Sequence, residues 1–301
     1  MLSVRFWGAR GSIASPGKET VEFGGNTSCL ELRADGKLVI VDFGTGIRLL
    51  GESLLANDLK NGPINADIFV THTHWDHLIG FPMFAPLFIP TSELRIYGPV
   101  MPEGFKVRNA LKLMTDYPFW PVRLCEFAAK LTFIDILETT IDLGAGLTVT
   151  SKLLNHPVIT LGYRFEYEGK KIVVVTDNEP FWNMFDDKSH PMYSAEADYE
   201  GCEVAETENK KLSDFFKDVD ILVYDSAYTE AEYRNSKRNW GHTSYESAIE
   251  NAKISGAKNL VIYHHEPSRT DEALRDLSVK YSKADSGLKI ITAKEGMVLT
   301  V

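Results

Sequence analysis

The sequence predicts an α/β protein, α+β in the way its elements segregate, with two sheets packed face to face and helices on the outside. Two sets of short strand-like runs fall one in each half of the chain, and four further stretches carry apolar residues at intervals of three and four. The third observation is compositional. At 301 residues and 44% hydrophobic, with no repeat and no low-complexity linker, the chain has apolar surface for one large core or at most two.

In chain order, strands are expected at residues 3–6, 29–33, 37–42, 68–71, 93–97 and 131–134. The second half adds 147–153, 159–167, 171–176, 221–225, 259–263, 288–291 and 297–301. The opening Met1-Leu2-Ser3-Val4-Arg5-Phe6-Trp7 has no basic stretch ahead of a long apolar one, so it reads as a first strand and not as an export signal. Helices are expected at 46–57, 105–113, 243–255 and 271–282, the third capped by Thr243 or Ser244 with Glu246 in its first turn. Between the halves lies Tyr117-Pro118-Phe119-Trp120-Pro121, whose two prolines oppose a regular helix or a central strand. Its default role is packing, but if it projects over a reactive centre, Phe119 and Trp120 would stack a nucleobase. The whole reads as one domain, 1–301, with an acidic insertion at about 178–215.

Charge and cysteine usage narrow the function. The net charge of −10 works against binding a long nucleic acid, whose affinity comes from neutralising phosphates with Lys and Arg. Between 186 and 208 stand Asp186, Asp187, Glu196, Asp198, Glu200, Glu203, Glu206 and Glu208 against Lys188 alone, the pattern of a solvated segment. Cys29, Cys125 and Cys202 are widely separated and form no C-x-x-C pair, so neither a disulfide framework nor a cysteine metal site is indicated. No stretch reads as a membrane span, and a cytoplasmic location is expected.

The densest chemistry is Thr71-His72-Thr73-His74-Trp75-Asp76-His77, directly after the apolar run Ile68-Phe69-Val70 and before Gly80 and Pro82. With 8 His in the chain, an H-x-H-x-D-H pattern would arise by chance on the order of once in a thousand chains. Side-chain alternation puts His72 and His74 on one face, while Asp76 and His77, past the turn, are free to point to a second position. A metal site is expected, and a double one.

This motif resembles the signature of the metallo-β-lactamase superfamily, and other segments follow in that family's order. Val41-Asp42-Phe43-Gly44-Thr45-Gly46 resembles its upstream Asp turn, Asn155-His156-Pro157 its third-histidine motif, Thr176-Asp177-Asn178 its bridging aspartate and Tyr263-His264-His265 its final histidine. The branch with ribonuclease Z and small phosphodiesterases is the most similar, through Phe6-Trp7-Gly8-Ala9-Arg10-Gly11-Ser12, Gly25-Asn26-Thr27-Ser28, the strand ending at Asp225 and Gly241-His242-Thr243-Ser244. The resemblance implies the four-layer αββα sandwich. It implies that His72, His74 and His156 hold one divalent ion and Asp76, His77 and His264 another, with Asp177 bridging and a shared water between them. Zn2+ suits this ligation, with Mn2+ or Fe2+ as alternatives. A homodimer is also implied. Departures from the branch are His265-Glu266-Pro267 after His264 and the lack of a recognisable long Gly/Pro-rich arm for transfer RNA.

The expected function is therefore hydrolysis of a small nucleotide-like or cyclic-nucleotide phosphodiester, with Asp76 and His242 as the catalytic candidates. The His-x-Ser/Thr resemblance points His242 at the scissile phosphate, although taken alone it would read as part of a helix cap. Asp42 supports the histidine loop, and Asp225 either orients His242 or competes with Asp177 as bridge. His265 is the alternative to His264 as ligand, and otherwise supports the site or faces substrate. Arg10 and Arg269 are candidate phosphate contacts, since a guanidinium fork suits phosphate oxygens. The competing functions are a ribonuclease Z-like RNA nuclease, a lactone or thioester hydrolase, and a non-enzymatic metal-binding sensor.

Overall fold

Why the central strands form is visible in their burial. Residues Leu38 and Ile40 face one apolar cluster and Val39 and Val41 another, and Ile172 and Val174 alternate in the same way with Val173 and Val175. A parallel strand covered on both faces reads as an unbroken apolar run, as these do. The computed structural model describes residues 1–191, 193–282 and 287–301; Met192, within the expected acidic insertion, lies outside the described residues.

Fourteen strands are found among the described residues: β1 (Leu2–Gly8), β2 (Cys29–Ala34), β3 (Lys37–Val41), β4 (Asn65–Phe69), β5 (Glu93–Pro99), β6 (Lys130–Ile136), β7 (Thr140–Asp142), β8 (Thr148–Leu154), β9 (Thr160–Tyr167), β10 (Lys170–Val175), β11 (Ile221–Asp225), β12 (Asn259–Tyr263), β13 (Lys289–Thr292) and β14 (Val298–Thr300). The helices are α1 (Ile47–Asn57), α2 (Trp75–Leu78), α3 (Val107–Met114), α4 (Ala195–Phe215), α5 (Glu230–Glu232), α6 (Tyr245–Ile254) and α7 (Asp271–Ser282), besides short 3-10 and π turns. One sheet runs β14-β1-β2-β3-β4-β5-β6 and the other β13-β12-β11-β10-β9-β8-β7. In each, strands are antiparallel on one side and parallel on the other, β3 to β6 in the first and β10 to β13 in the second.

The inner faces of both sheets share one apolar core, in which Phe6, Val41 and Phe69 meet Tyr163, Phe165 and Val174. Phe69 stacks on Tyr97 at 4.5 Å, and the Tyr163 hydroxyl crosses to donate to the Val70 carbonyl at 2.6 Å. Outside, α1 packs Ile47, Leu50 and Leu54 on the first sheet, and α4, α6 and α7 cover the second. The result is the αββα sandwich.

Three differences from expectation have physical causes. The strand expected at 68–71 begins at Asn65, because Asp67 is buried only by virtue of the Arg95 fork across the strand pair, at 2.6 and 2.5 Å, and the Tyr97 hydroxyl. The acidic stretch contains a helix, α4, that was not foreseen. Ser194 caps it, accepting from the Ala197 amide at 3.0 Å, and Glu196 and Asp198 fall in its first turn, where the helix dipole favours negative charge. Its buried anchors, Ala205, Leu212 and Phe215, are too sparse to show a clear apolar stripe. The last strand, finally, leaves its own half of the chain and pairs with β1 in the first sheet, Ser3 opposite Thr300.

The six parallel strands besides β6 and β13 send their carboxyl ends toward one edge of the sandwich, where ligand sites form in such sheets. Asp42 follows β3, His72 follows β4, Asp177 follows β10, Asp225 ends β11 and His264 follows β12.

Candidate metal centre

Local structure divides the histidine motif. His72 emerges from the extended chain after β4, whereas His74 is the N-cap of the single turn α2, which carries Asp76 and His77 round to another side. Loops after β8, β10 and β12 bring in His156, Asp177 and His264. Besides Asp225, His242 and His264, which also lie together, two groups of donors result. In one, the ligating atoms of His72, His74, His156 and Asp177 all lie within 4.8 Å of one another, and in the other those of Asp76, His77, Asp177 and His264 do.

Asp177 belongs to both. Its Oδ2 is 3.6 Å from His72 Nε2 and 3.8 Å from His156 Nε2, while Oδ1 is 3.2 Å from His77 Nε2 and 3.1 Å from His264 Nε2. Asp76 Oδ2 is 3.2 Å from the Nε2 atoms of both His77 and His264, and His156 Nε2 is 3.1 Å from His74 Nδ1. His72 Nε2, His77 Nε2 and Asp177 Oδ1 are buried without a hydrogen-bond partner. Such orphans are costly, and divalent cations held by the two groups would satisfy all three. The donor set, imidazole and carboxylate converging from the four connections after β4, β8, β10 and β12, fits divalent metal.

The electrostatics agree. Burial drives the His72 imidazole well down and His156 down to about 4, so both present neutral lone pairs, the form a metal needs. Burial alone would raise Asp177, but the imidazoles of His264, His77 and His72 hold it well below the usual carboxylate range. Burial would likewise lower His77, yet Asp76, Asp177 and Asp42 raise it well above the ordinary imidazole value. A potential that negative attracts any cation placed there.

Behind the donors stands a support that fixes their rings. Asp42 Oδ2 is 2.7 Å from His77 Nδ1, and Oδ1 accepts from the Thr71 amide at 2.8 Å, with Ser28 donating at 3.1 Å. His156 Nδ1 is held by the Gly241 carbonyl at 2.9 Å. Gly241 has a φ of 78°, and a Cβ there would lie 2.2 Å from His156 Nδ1, so only glycine fits. Asp42, Asp177 and His264 also have positive φ, at 65°, 44° and 60°, a strain that clusters at functional sites. Asp42→Asn tolerates that backbone while removing the charge, and is expected to weaken divalent-metal affinity roughly 10–100-fold in a calorimetric titration. Unchanged affinity would mean that Thr71 alone orients His77.

Next to both groups opens a cleft of about 460 Å³, lined among others by His74, Trp75, Asp76, His156, Trp240 and His242. His242 Nδ1 lies 2.9 Å from Asp225 Oδ2, and its ring stacks on His264 at 5.1 Å. Burial pulls its pKa down, but Asp225, with Asp177 and Asp76 behind it, overcomes this and pushes it up to about 9. Asp225 accepts from the Asn178 amide as well, and its Oδ1 approaches His264 Nδ1 no closer than 3.9 Å. It thus sits behind His242, and Asp177 takes the central position between the two groups.

Several sequence-stretch neighbours point elsewhere. His265 donates from Nε2 to the Ala293 carbonyl at 2.8 Å, packs edge-on to Phe23 and is buried, which corrects the expectation of a substrate contact or alternative ligand. Arg10 is fully buried, its Nε donating to the Gly24 carbonyl at 2.8 Å and Nη1 to that of Arg269 at 2.7 Å, so it staples loops and does not meet phosphate. Arg269 is paired through Nη2 with Glu232. Tyr117 is held by Glu126 and Arg123, and neither Phe119 nor Trp120 lines the cleft.

Sequence reasoning missed Ser12, whose amide donates to Asp76 Oδ2 at 2.7 Å, and Glu179. Buried Glu179 accepts from the Tyr233 hydroxyl at 2.5 Å and from the amides of Asn239 and Gly241, each at 2.9 Å. For Ser12 the only signal was its place after Gly11, and for Glu179 its place two residues after Asp177.

Comparison with known proteins points the same way. The profile of the beta-lactamase superfamily domain matches residues 39–265. A ribonuclease Z of Methanocaldococcus jannaschii is 25% identical over 257 residues, 76% of this chain and 77% of that protein. Among solved structures, the metallo-beta-lactamase fold protein YhfI from Bacillus subtilis has a TM-score of 0.65 at 17% identity, over 99% of this chain and 98% of its own. A diphosphatase from the PhnP family has a TM-score of 0.65 at 16% identity, over 100% and 98%. At such identities the two structures speak for the fold alone.

Proposed function

The chain belongs to the β-lactamase superfamily as a metal-dependent hydrolase, and we propose that its substrate is a small phosphodiester cleaved beside two divalent ions. The observation that carries this reading is His242: an imidazole held on Asp225 through Nδ1 and lining the same cleft as His74, Asp76 and His156. A buried proton donor next to a metal-type donor cluster suits an anionic substrate with an alkoxide leaving group.

In this reading His72, His74 and His156 would hold one ion, Asp76, His77 and His264 the other, and Asp177 would serve both. Zinc is the ion proposed, and a pair of such ions supplies activation of water and a clamp for the oxygens of an in-line displacement. The side chains do the rest. Asp76, kept ionised by His77 and His264 against the pull of burial, accepts a hydrogen bond from the attacking water. His242 gives its Nε2 proton to the leaving oxygen, and Asp225, bonded at Nδ1, keeps the ring oriented for that transfer.

Metal-loaded protein should hydrolyse bis(4-nitrophenyl) phosphate above a His72→Ala control, and the reading is overturned if no phosphodiester is cleaved above that control. His242→Ala should retain its metal and lose kcat roughly 10²-fold or more on an alkyl diester. With nitrophenolate, which leaves without a proton, the loss should be smaller. Equal losses on both substrates would make His242 a phosphate contact instead of an acid. A second reading, cleavage of RNA, is favoured by the relative named ribonuclease Z, and a precursor transfer RNA cleavage assay discriminates it from the first.

A further inference from the structure

The mouth of the cleft presents two tryptophans to solvent. Trp75, the first residue of α2 and flanked by His74 and Asp76, is 75% exposed, and Trp240, just before Gly241 and His242, is 55% exposed. A single exposed tryptophan is unremarkable on a protein surface, but here both line the one cleft that contains His74, His156 and His242. Neither is needed for the core. Trp75 meets no other aromatic ring among the described residues, and both belong to segments whose backbone is already fixed by their neighbours, α2 on one side and the Glu179-bound amides on the other.

Charge completes the pattern. In a chain of net charge −10, Arg234, Lys237 and Arg238 gather in the segment leading to Trp240, which begins as a π-helical turn, Tyr233–Lys237. Such turns recur at functional sites. Lys237 Nζ lies 3.8 Å from the Trp240 ring centre, and Arg238 covers Trp182 at 3.6 Å, beside a smaller hollow that shares His156 with the cleft. Lys237 covers one face of the indole, and an exposed ring with an ammonium over that face is complementary to a planar base on its other face whose attached phosphate the ammonium meets.

We propose that Trp75 and Trp240 clasp the nucleobase of a nucleotide substrate, with Lys237 meeting its phosphate, so that the substrate class is a nucleoside phosphodiester and not a plain alkyl one. The inference rests on the phosphodiesterase reading for its chemistry but on binding alone for its test. Stacking tolerates any base, so the clasp selects for a base without selecting which.

The experiment is calorimetric titration of the metal-loaded protein with adenosine 5′-monophosphate and, separately, with ribose 5-phosphate, which differ only in the base. The nucleotide should bind roughly tenfold more tightly or better, and Trp240→Leu should abolish most of that difference while Trp240→Phe retains it. Equal affinities for the two phosphates in the wild type, or a base preference that survives Trp240→Leu, would overturn the clasp. Base-dependent binding without any diester turnover would sink the hydrolytic reading and leave the clasp standing.

Discussion

Asp177→Asn is expected to strip the centre of its metal and reduce turnover by more than about three powers of ten. Asp177 is the one residue in both donor groups, with an oxygen turned to each. Neutralising it weakens both positions at once, and each ion is worth several kcal/mol of transition-state stabilisation. Asparagine keeps the size and tolerates the positive φ of 44°, so the change isolates the charge. The fold should survive, and metal analysis should find fewer than one ion per chain by elemental emission. A thermal readout adds an independent check. Chelation should lower the Tm of the wild type, since bound metal at a thousandfold its Kd is worth about 4 kcal/mol, whereas the variant should have almost nothing left to lose. Two ions retained with normal chelator sensitivity would show that Asp177 is not shared.

The second large effect is expected at a residue that touches neither metal donor nor substrate. Glu179→Ala leaves the Tyr233 hydroxyl and the Asn239 and Gly241 amides without their acceptor. The buried Gly241 amide left unsatisfied costs about 1–3 kcal/mol, while the part-buried Tyr233 and Asn239 donors can turn to water, so urea denaturation should show a loss of about 1–3 kcal/mol. The catalytic consequence is separate from this loss. Gly241 carries the carbonyl that holds His156 and precedes His242, so a slackened turn misplaces one metal donor and the proton donor together. Glu179→Gln, which keeps acceptor oxygen at one position, should recover part of both. If Glu179→Ala were destabilised but fully active, measured well below its Tm, the carboxylate would be a structural brace alone.

What could be read from the sequence follows physical rules. The parallel strands announce themselves because two-sided burial demands unbroken apolar runs, and the metal donors because three imidazoles and a carboxylate crowd into one turn. Asp67 looked too polar for a strand, since its partner Arg95 comes from a distant segment. Helix α4 escaped because its few buried anchors sit in an acidic surface, and β7 because three residues carry no period. Arg10 and His265 were misjudged for a common reason: adjacency to a motif fixes where the backbone goes, but not which way a side chain turns. Ser12 works through its amide, which has no residue-type signature. Trp240 acquires its place at the cleft only through the folded turn that Glu179 holds.

The return of β14 to the first sheet sets a timetable for synthesis. A sheet whose interior strands are made early stays one strand short until residues 298–300 have been translated, because Ser3 waits for Thr300 and Arg5 for Val298. Until then β1 is an open edge, able to pair with whatever strand it meets. His264 too is among the last donors to emerge. Vectorial folding from the amino end can therefore build much of the apolar core but neither seal the sheet nor assemble the second donor group. The nascent chain thus carries an open strand edge until β14 has emerged to cover it.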